Sequence, residues 1–467
     1  MLFNSLPFFV FLPAFLLAFF ATRGNARLWV SLAGSYLFYG WWDWRFTFLL
    51  AALTVGNFVA GWKVATARTD VAARWWLSAG VVSSLAVLGF FKYFNFFSTS
   101  IAEALGRLGI AESPILLRVI LPVGISFYTF QTLSYVIDVY RKDVEAESSL
   151  LRFAVFVAFF PQLVAGPILR AKDFLPQLRS DTVLSWSNFC NGITLATWGY
   201  VLKCVVADNM AAIVDPRFDS PAAHNGLSML LGVWFYAFQI YGDFAGYSLI
   251  AIGIARMTGY DFPINFDRPY FASSFSEFWQ RWHISLSSWL RDYLYIPLGG
   301  SREGTVRTYA NLMTTMTLGG LWHGASWNFV LWGVAHGLFL VIQRLLAPFW
   351  APAWPLRVLS IPTVFVCTLC AWVLFRAPTL EASTVVYSRL FGAGDFSFAA
   401  VPQKFEVLKG LGLTLALLTL EALSFRFRPW EMAERFPWSV AAFLVACLWV
   451  LALTGTFGSD AFIYFQF

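Results

Sequence analysis

Between Leu6 and Phe20 no side chain carries a hydrogen-bonding group, and a stretch of that kind decides most of what the chain can become. Ile361–Phe375, Leu411–Leu423 and Val440–Leu453 read as further apolar runs. A bare backbone in lipid finds no hydrogen-bond partner, so such runs must satisfy themselves as helices or as a closed barrel. Barrel strands alternate polar and apolar side chains over about 10 residues. These runs do not alternate, and a crossing helix needs about 20 mostly apolar residues. Composition points the same way: 59% of the 467 residues are hydrophobic and 12% are charged, where soluble domains carry about 25% charged residues. A soluble core of this length cannot hide 50 Phe and 22 Trp, because every domain leaves much of its surface in water. A soluble enzyme, a disordered chain and a secreted disulfide scaffold are excluded. The expected fold is all-α: a polytopic transmembrane protein, one domain over residues 1–467.

Leu6–Phe20 has no basic region before it and is followed by further apolar runs, so it reads as the first span rather than a signal peptide. The five cysteines, Cys190, Cys204, Cys367, Cys370 and Cys447, all sit in apolar sequence. Cys367 and Cys370 have redox or metal spacing, but no second ligand pair accompanies them, and they read as structural thiols. No metal site is expected.

The net charge of +6 and pI near 9.0 do not require nucleic acid, because cytoplasmic loops of membrane proteins collect Lys and Arg. Basic clusters at Arg23/Arg27, Lys63/Arg68/Arg74, Arg141/Lys142, Arg170/Lys172/Arg179, Arg302/Arg307, Arg344/Arg357 and Arg426/Arg428/Arg435 can all be cytoplasmic in a path of about 12 crossings. Both termini then lie outside, as do Asp208–His224 and Ala377–Val401. Leu150–Arg170 carries Pro161, Gly166 and Pro167, which break a helix and suit a re-entrant segment. Asp261–Glu303 is the most polar stretch. Polar backbone at membrane depth survives only inside protein or along a cavity, so a cavity open to the cytoplasm is expected there.

Ionisable groups in such a chain are functional candidates by default. Of four histidines, His224 falls in a loop. His283, His323 and His336 lie in aromatic sequence. Read as one helix, Glu277–Tyr293 places His283 on an apolar stripe with Trp279, Leu286 and Leu290. There it could be a core imidazole satisfied by a hydroxyl, or lie on an interfacial helix. His323 follows Gly319 and Gly320 and precedes Gly324; these glycines let a substrate or another backbone approach. An imidazole there can act as a general base. On a continuous helix His336 would lie about 20 Å further along and on another face, too far to share one reacting atom. No phosphate loop, metal-ligand spacing or serine nucleophile elbow is present. Histidine chemistry without a nucleophile suits direct acyl transfer from a thioester to a hydroxyl.

The run Phe278–Gly300, with Trp282, His283, Ser285, Trp289, Arg291 and Asp292, resembles the signature of membrane-bound O-acyltransferases, closest to the bacterial alginate O-acetyltransferase branch. Leu321–Trp327, with Trp322, His323 and Ser326, is similar to the segment that carries the family's near-universal histidine, and Asn328 follows it. Gln131–Arg141, Phe160–Ile168 and Tyr241–Ser248 are similar to three further blocks, so the resemblance spans 131–337. After Ser248 the branch commonly has an acidic residue where this chain has Leu249. The resemblance implies a central tunnel in which a cytoplasmic acyl donor and an outer-face acceptor meet at His323, with His283 positioning or activating them. Trp282, Ser285, Trp289, Arg291, Asp292, Trp322, Ser326 and Asn328 are expected along it. Acetyl-CoA or an acyl carrier thioester is implied as donor substrate, with no bound cofactor. The implied partners are a periplasmic SGNH-type transferase, a polysaccharide acceptor and the lipids of a bacterial inner membrane, but no nucleic acid.

The chain ends Phe462–Phe467, an aromatic belt residue run in which Tyr464 has the only hydroxyl. Related acyl-export systems imply a sharper role, a tyrosyl ester relay. A phenol is a better leaving group than a sugar hydroxyl, so its ester keeps much of the thioester's transfer potential. A D-alanyl or longer-chain acyl exporter is the neighbouring alternative. A polysaccharide or lipid transporter, from a different class, should show repeated halves and paired intramembrane charges, and the sequence displays neither. A scaffold for a synthase would tolerate loss of His323.

Overall fold

A computed structural model describes residues 1–110, 113–164, 166–183, 185–347, 354–392, 395–425 and 437–456, with backbone only for 354–358 and 437–440. Among the described residues every regular element is helical. Among the described residues six helices are long and apolar enough to cross a bilayer: Arg45–Thr66, Asp70–Arg107, Trp186–Asp219, Trp327–Leu346, Leu359–Arg376 and Lys404–Ser424. Leu6–Ala21 and Ala441–Thr454 are shorter apolar helices. The chain is a multi-pass helical membrane protein.

The chain forms two compact units, one of residues 1–192 with 251–262 and the other of 193–250 with 263–467. The first contains α1 (Leu6–Ala21), α2 (Gly24–Asp43), α3 (Arg45–Thr66), α4 (Asp70–Leu88), α5 (Phe94–Arg107), α6 (Ile125–Arg141), α7 (Leu150–Ala158), α8 (Phe160–Leu163), α9 (Ala171–Arg179) and the start of α10 (Trp186–Tyr200). Its core is aromatic: Phe8, Phe15 and Phe38 surround Phe160, with Phe15 edge-on to it at 4.9 Å.

As the prolines predict, the helix through Leu150–Arg170 breaks, between α7 and α8 at Phe159. Phe160 sends its N–H to Ser35 Oγ at 3.0 Å instead of back along the helix. The Phe156 carbonyl accepts from Gln131 Nε2 at 2.5 Å and Gln162 Nε2 at 2.6 Å. A break buried in this way has to be satisfied by side chains, since an orphaned carbonyl there would cost about 1–3 kcal/mol. Beyond α6 the carboxylate of Glu147 accepts from Arg152 at 3.0 Å and Arg179 at 3.3 Å.

The second unit holds the rest of α10, α11 (Asp208–Asp219), most of α12 (Gly226–Met257), α13 (Phe275–Arg281), α14 (Ile284–Leu290), α15 (Thr305–His323), α16 (Trp327–Leu346), α17 (Trp354–Arg376), α18 (Leu380–Phe391), α19 (Lys404–Ser424) and α20 (Pro437–Thr454). Within it α10 and α12 touch backbone to backbone: a Cβ on Gly246 would stand 2.7 Å from the Gly199 carbonyl. Beyond Tyr200 the helix widens into a π turn, Val201–Ala207, a form found often where side chains are placed for a purpose.

That turn corrects one expectation. Asp208 was assigned to an outer loop, and no charge pairs were expected inside spans. Instead Lys203 Nζ lies 2.8 Å from Asp208 Oδ1 and 2.6 Å from Asp243 Oδ1, and all three side chains are buried. The pairing joins residues 40 positions apart, so neither charge betrays it alone. Glu421, inside the run read as apolar, accepts a hydrogen bond from the Tyr241 hydroxyl.

The π turn and the start of α11 also hold the end of α20. Asn209 Nδ2 donates to the Thr454 carbonyl and the Thr456 N–H donates to the Cys204 carbonyl, both at 2.9 Å. Tyr464 and the rest of 462–467 lie outside the described residues.

Candidate active site

Four elements of the second unit build the site: α12, the segment 263–290, the α15–α16 hairpin and the end of α17. The expected continuous helix Glu277–Tyr293 does not form. It divides at Trp282 and His283 into α13 and α14, followed by a π turn at Arg291–Tyr295. Asn265 causes the division. Its backbone carbonyl accepts the Ile284 N–H at 2.9 Å, and its side-chain Oδ1 accepts the Ser285 N–H at 3.1 Å and Ser285 Oγ at 2.9 Å. Asn265 therefore caps α14 from outside. His283, left at the junction, adopts a left-handed conformation with φ +43° and ψ +55°, which costs a non-glycine residue roughly 1–2 kcal/mol. The hydrogen bonds to Asn265 offset that cost.

The turn removes His283 from the stripe with Trp279 and Leu290 and buries it completely. Its Nδ1 lies 3.3 Å from Asn265 Oδ1. Phe244 packs edge-on at a ring separation of 4.6 Å and Trp322 at 5.9 Å. Burial there disfavours the charged imidazolium.

His323 comes from the opposite wall. It is the last residue of α15, and Gly324 leaves the helix in extended conformation. Gly320 and Gly333 permit the fold-back of α16 against α15: a Cβ on Gly320 would fall 2.2 Å from the Phe329 carbonyl, and one on Gly333 2.3 Å from that of Met316. The reversal overturns the expectation of one helix running on past His323 to His336. His323 is buried, with ring separations of 5.1 Å to Trp322, 5.1 Å to Trp332 and 5.3 Å to Phe375. The rings of His283 and His323 are 6.3 Å apart. The two histidines selected from sequence are thus neighbours, although 40 positions separate them. His336 packs against Trp332 at 4.8 Å and Trp279 at 5.1 Å, so Trp332 stands between it and His323.

The remaining candidates divide. Trp282 and Trp322 join the aromatic wall, with Trp282 5.0 Å from both Phe266 and Trp372. Ser285 binds Asn265, and Trp289 packs against Tyr293 at 5.0 Å. Arg291 and Asp292 pair with each other at 2.7 Å, and the Arg291 side chain is exposed. Ser326 is the N-cap of α16. Asn328 ties α16 to the end of α17, donating to the Ala377 carbonyl at 2.7 Å. Sequence reasoning missed Asn265, Trp332 and Phe375. Asn265 lies in a loop 18 positions before His283, and its only sequence signal is its place in the polar stretch 261–303.

A profile described as MBOAT, membrane-bound O-acyltransferase family, matches residues 38–377. The chain belongs to this family. It is 44% identical over 402 residues to a probable alginate O-acetylase of Azotobacter vinelandii, covering 85% of this chain and 80% of that one. A probable alginate O-acetylase of Pseudomonas aeruginosa is 43% identical over 430 residues, with coverage of 91% and 81%. A peptidoglycan O-acetyltransferase of Helicobacter pylori is 34% identical over 436 residues, covering 85% and 81%. The protein is an O-acyltransferase, similar to alginate O-acetylases over most of its length.

Proposed function

We propose that this O-acyltransferase passes acetyl groups from a cytoplasmic thioester, acetyl-CoA or an acyl carrier, to a hydroxyl at the outer face of the bacterial inner membrane, for O-acetylation of an extracytoplasmic polysaccharide. The observation that carries this reading is the buried His283–His323 pair at 6.3 Å, enclosed by Trp322, Trp332 and Phe375. The names of the relatives, alginate O-acetylase and peptidoglycan O-acetyltransferase, favour acetyl over other acyl groups and an envelope glycan as acceptor.

In this reading His323 is the general base. The acceptor oxygen attacks the thioester carbonyl, His323 takes its proton, the carbon–sulfur bond breaks, and the thiolate leaves and is protonated. His323 ends α15, where the helix dipole is negative and favours the charge a base acquires, an effect worth about 0.3–1 kcal/mol or more when partly buried. The aromatic wall keeps water from competing for the acyl group. The proposal includes the finer topology: about 12 crossings and re-entrant segments around a central tunnel, both termini extracytoplasmic, and Tyr464 as an acyl relay that a periplasmic SGNH-type partner unloads.

Intact-mass measurement after incubation with acetyl-CoA tests it, comparing the wild type, His323→Ala and Tyr464→Phe. One acetyl group mapping to Tyr464, absent from both variants, supports base and relay together. No adduct in the wild type, with glycan acetylation still dependent on His323, removes the relay and keeps the base. Acetylation that survives His323→Ala overturns the assignment of the base.

A further inference from the structure

The network behind His283 determines which of its nitrogens carries the proton. The side-chain atom of Asn265 that faces α14 receives the Ser285 backbone N–H at 3.1 Å. A backbone N–H only donates, so that atom is the carbonyl oxygen and the amide orientation is fixed. The amide nitrogen consistently turns the other way, donating to Ser248 Oγ at 3.1 Å. His283 Nδ1, 3.3 Å from the same carbonyl oxygen, can then make that hydrogen bond only as a donor. Asn265, Ser248, Ser285 and His283 are all buried, so bulk water does not scramble the arrangement.

We propose that Asn265 is a positioning residue that locks His283 in its Nδ1–H tautomer, so that Nε2 serves the reaction only as a hydrogen-bond acceptor. The inference rests on the acyl-transfer reading for its functional half. A neutral imidazole with Nδ1 protonated cannot donate from Nε2, so His283 is not a donor to the oxyanion of the tetrahedral intermediate. It accepts a hydrogen bond from the incoming acceptor's O–H and orients that oxygen for attack, while His323 removes the proton. The group selected at this point must bring its own hydrogen: a free hydroxyl fits, and the same oxygen methylated leaves Nε2 facing no donor. The backbone half of the device explains why it cannot slip. The carbonyl and side chain of Asn265 hold Ile284 and Ser285 on either side of the strained junction, so ring and main chain are set by one residue.

Nitrogen NMR of the full-length protein, labelled with ¹⁵N-histidine and held in detergent, reads the tautomer without any reaction. The sequence has only 4 histidines, and His283→Gln identifies the signal. The expected result is a neutral ring with hydrogen on Nδ1 and none on Nε2 at neutral pH. A proton on Nε2, or on both nitrogens, overturns the proposal. If the tautomer is as expected but no acetyl transfer occurs, the function fails and the positioning stands.

Asn265→Asp provides the second test. The carboxylate keeps an acceptor for Ser285 and faces the Nδ1–H, and a carboxylate beside an imidazole favours its protonated form by 1–3 pH units. Phe244, Phe266, Trp322 and His323 are among the rings packed on His283, and of these four His323 alone is an ionisable group. In Asn265→Asp the pH at which the His283 ring takes up its second proton, read from the same ¹⁵N signals, should move upward by roughly one unit or more relative to the wild type. Asn265→Leu, which removes the acceptor, should instead release the ring from the single Nδ1–H tautomer. A titration that stays in place in Asn265→Asp, or an unchanged tautomer in Asn265→Leu, refutes the positioning role.

Discussion

The α15–α16 hairpin offers a paired substitution in which adjacent residues of one helix should behave oppositely. A Cβ on Gly320 would sit 2.2 Å from the Phe329 carbonyl oxygen and 3.0 Å from Gly333 Cα, all backbone. An ordinary contact needs about 1 Å more, and no rotamer can supply it, so α15 and α16 must separate. A Cβ on Gly319 would meet only Leu290 Cδ1, at 3.0 Å, the far end of a flexible side chain. Replacing glycine by alanine inside a helix gains up to about 1 kcal/mol of propensity at both positions. At Gly319 that gain survives. At Gly320 overpacking of about 1–3 kcal/mol outweighs it. The cost to activity should be larger, because His323 is three residues from the wedge and a misplacement of about 1 Å can cost around 10²-fold in rate. Gly320→Ala should therefore melt lower in detergent and lose acetyl transfer to about 1% or less, with Gly319→Ala near wild type in both assays. Matching melting points and rates for the two variants would refute the close-packed hairpin as the support of His323.

Other parts of the fold give further expectations. Lys203→Met leaves Asp208 and Asp243 without their shared cation and should cost about 3–5 kcal/mol, read as a fall in melting temperature that added Asp243→Asn partly restores. Glu147 is buried, and although burial disfavours its charge, the Ser149 N–H, Arg152 and Arg179 outweigh it and hold the carboxyl below its usual 4.5. A depressed carboxyl stabilises the fold above its unfolded value and loses that contribution as pH falls through the folded one. Melting temperature should then drop on acidification below about 4.5 in the wild type and less steeply in Glu147→Gln. Gln131→Leu and Gln162→Leu should each be mild, since either amide satisfies the Phe156 carbonyl. The double variant should exceed their sum by about 1–3 kcal/mol, and additive melting shifts would contradict the shared acceptor.

What the sequence discloses follows the range of each interaction. Hydropathy acts through consecutive residues, so Leu6–Phe20 and Ile361–Phe375 are recognisable as helices without further knowledge. Pro161 acts on its own backbone, so the break after α7 is also legible. The glycines around His323 announce a close approach, though not that α16 is what approaches. The division at His283 is hidden because Phe278, Trp282, Leu286 and Trp289 keep a good helical period across it. The period is overridden by Asn265, which acts from 18 positions away. The pairing of Lys203, Asp208 and Asp243 is invisible for the same reason: Asp208 reads as the start of an outer segment and Asp243 as part of the Tyr241–Ser248 block until the fold brings the three together.

The anchoring of Thr454 on the start of α11 and of Thr456 on the π turn has a kinetic consequence for the segment that follows. Tyr464 follows Thr456 by eight positions, a reach of at most about 28 Å. If the phenol samples a sphere of that radius and the site lies inside it, its effective concentration there is on the order of 10 mM. At that level loading a tyrosine relay would be a first-order event within one molecule, independent of protein concentration, and the tail would not need to bind its site tightly. A free peptide of the same sequence, added to a chain truncated after Thr456, would have to be supplied at millimolar concentration to match it.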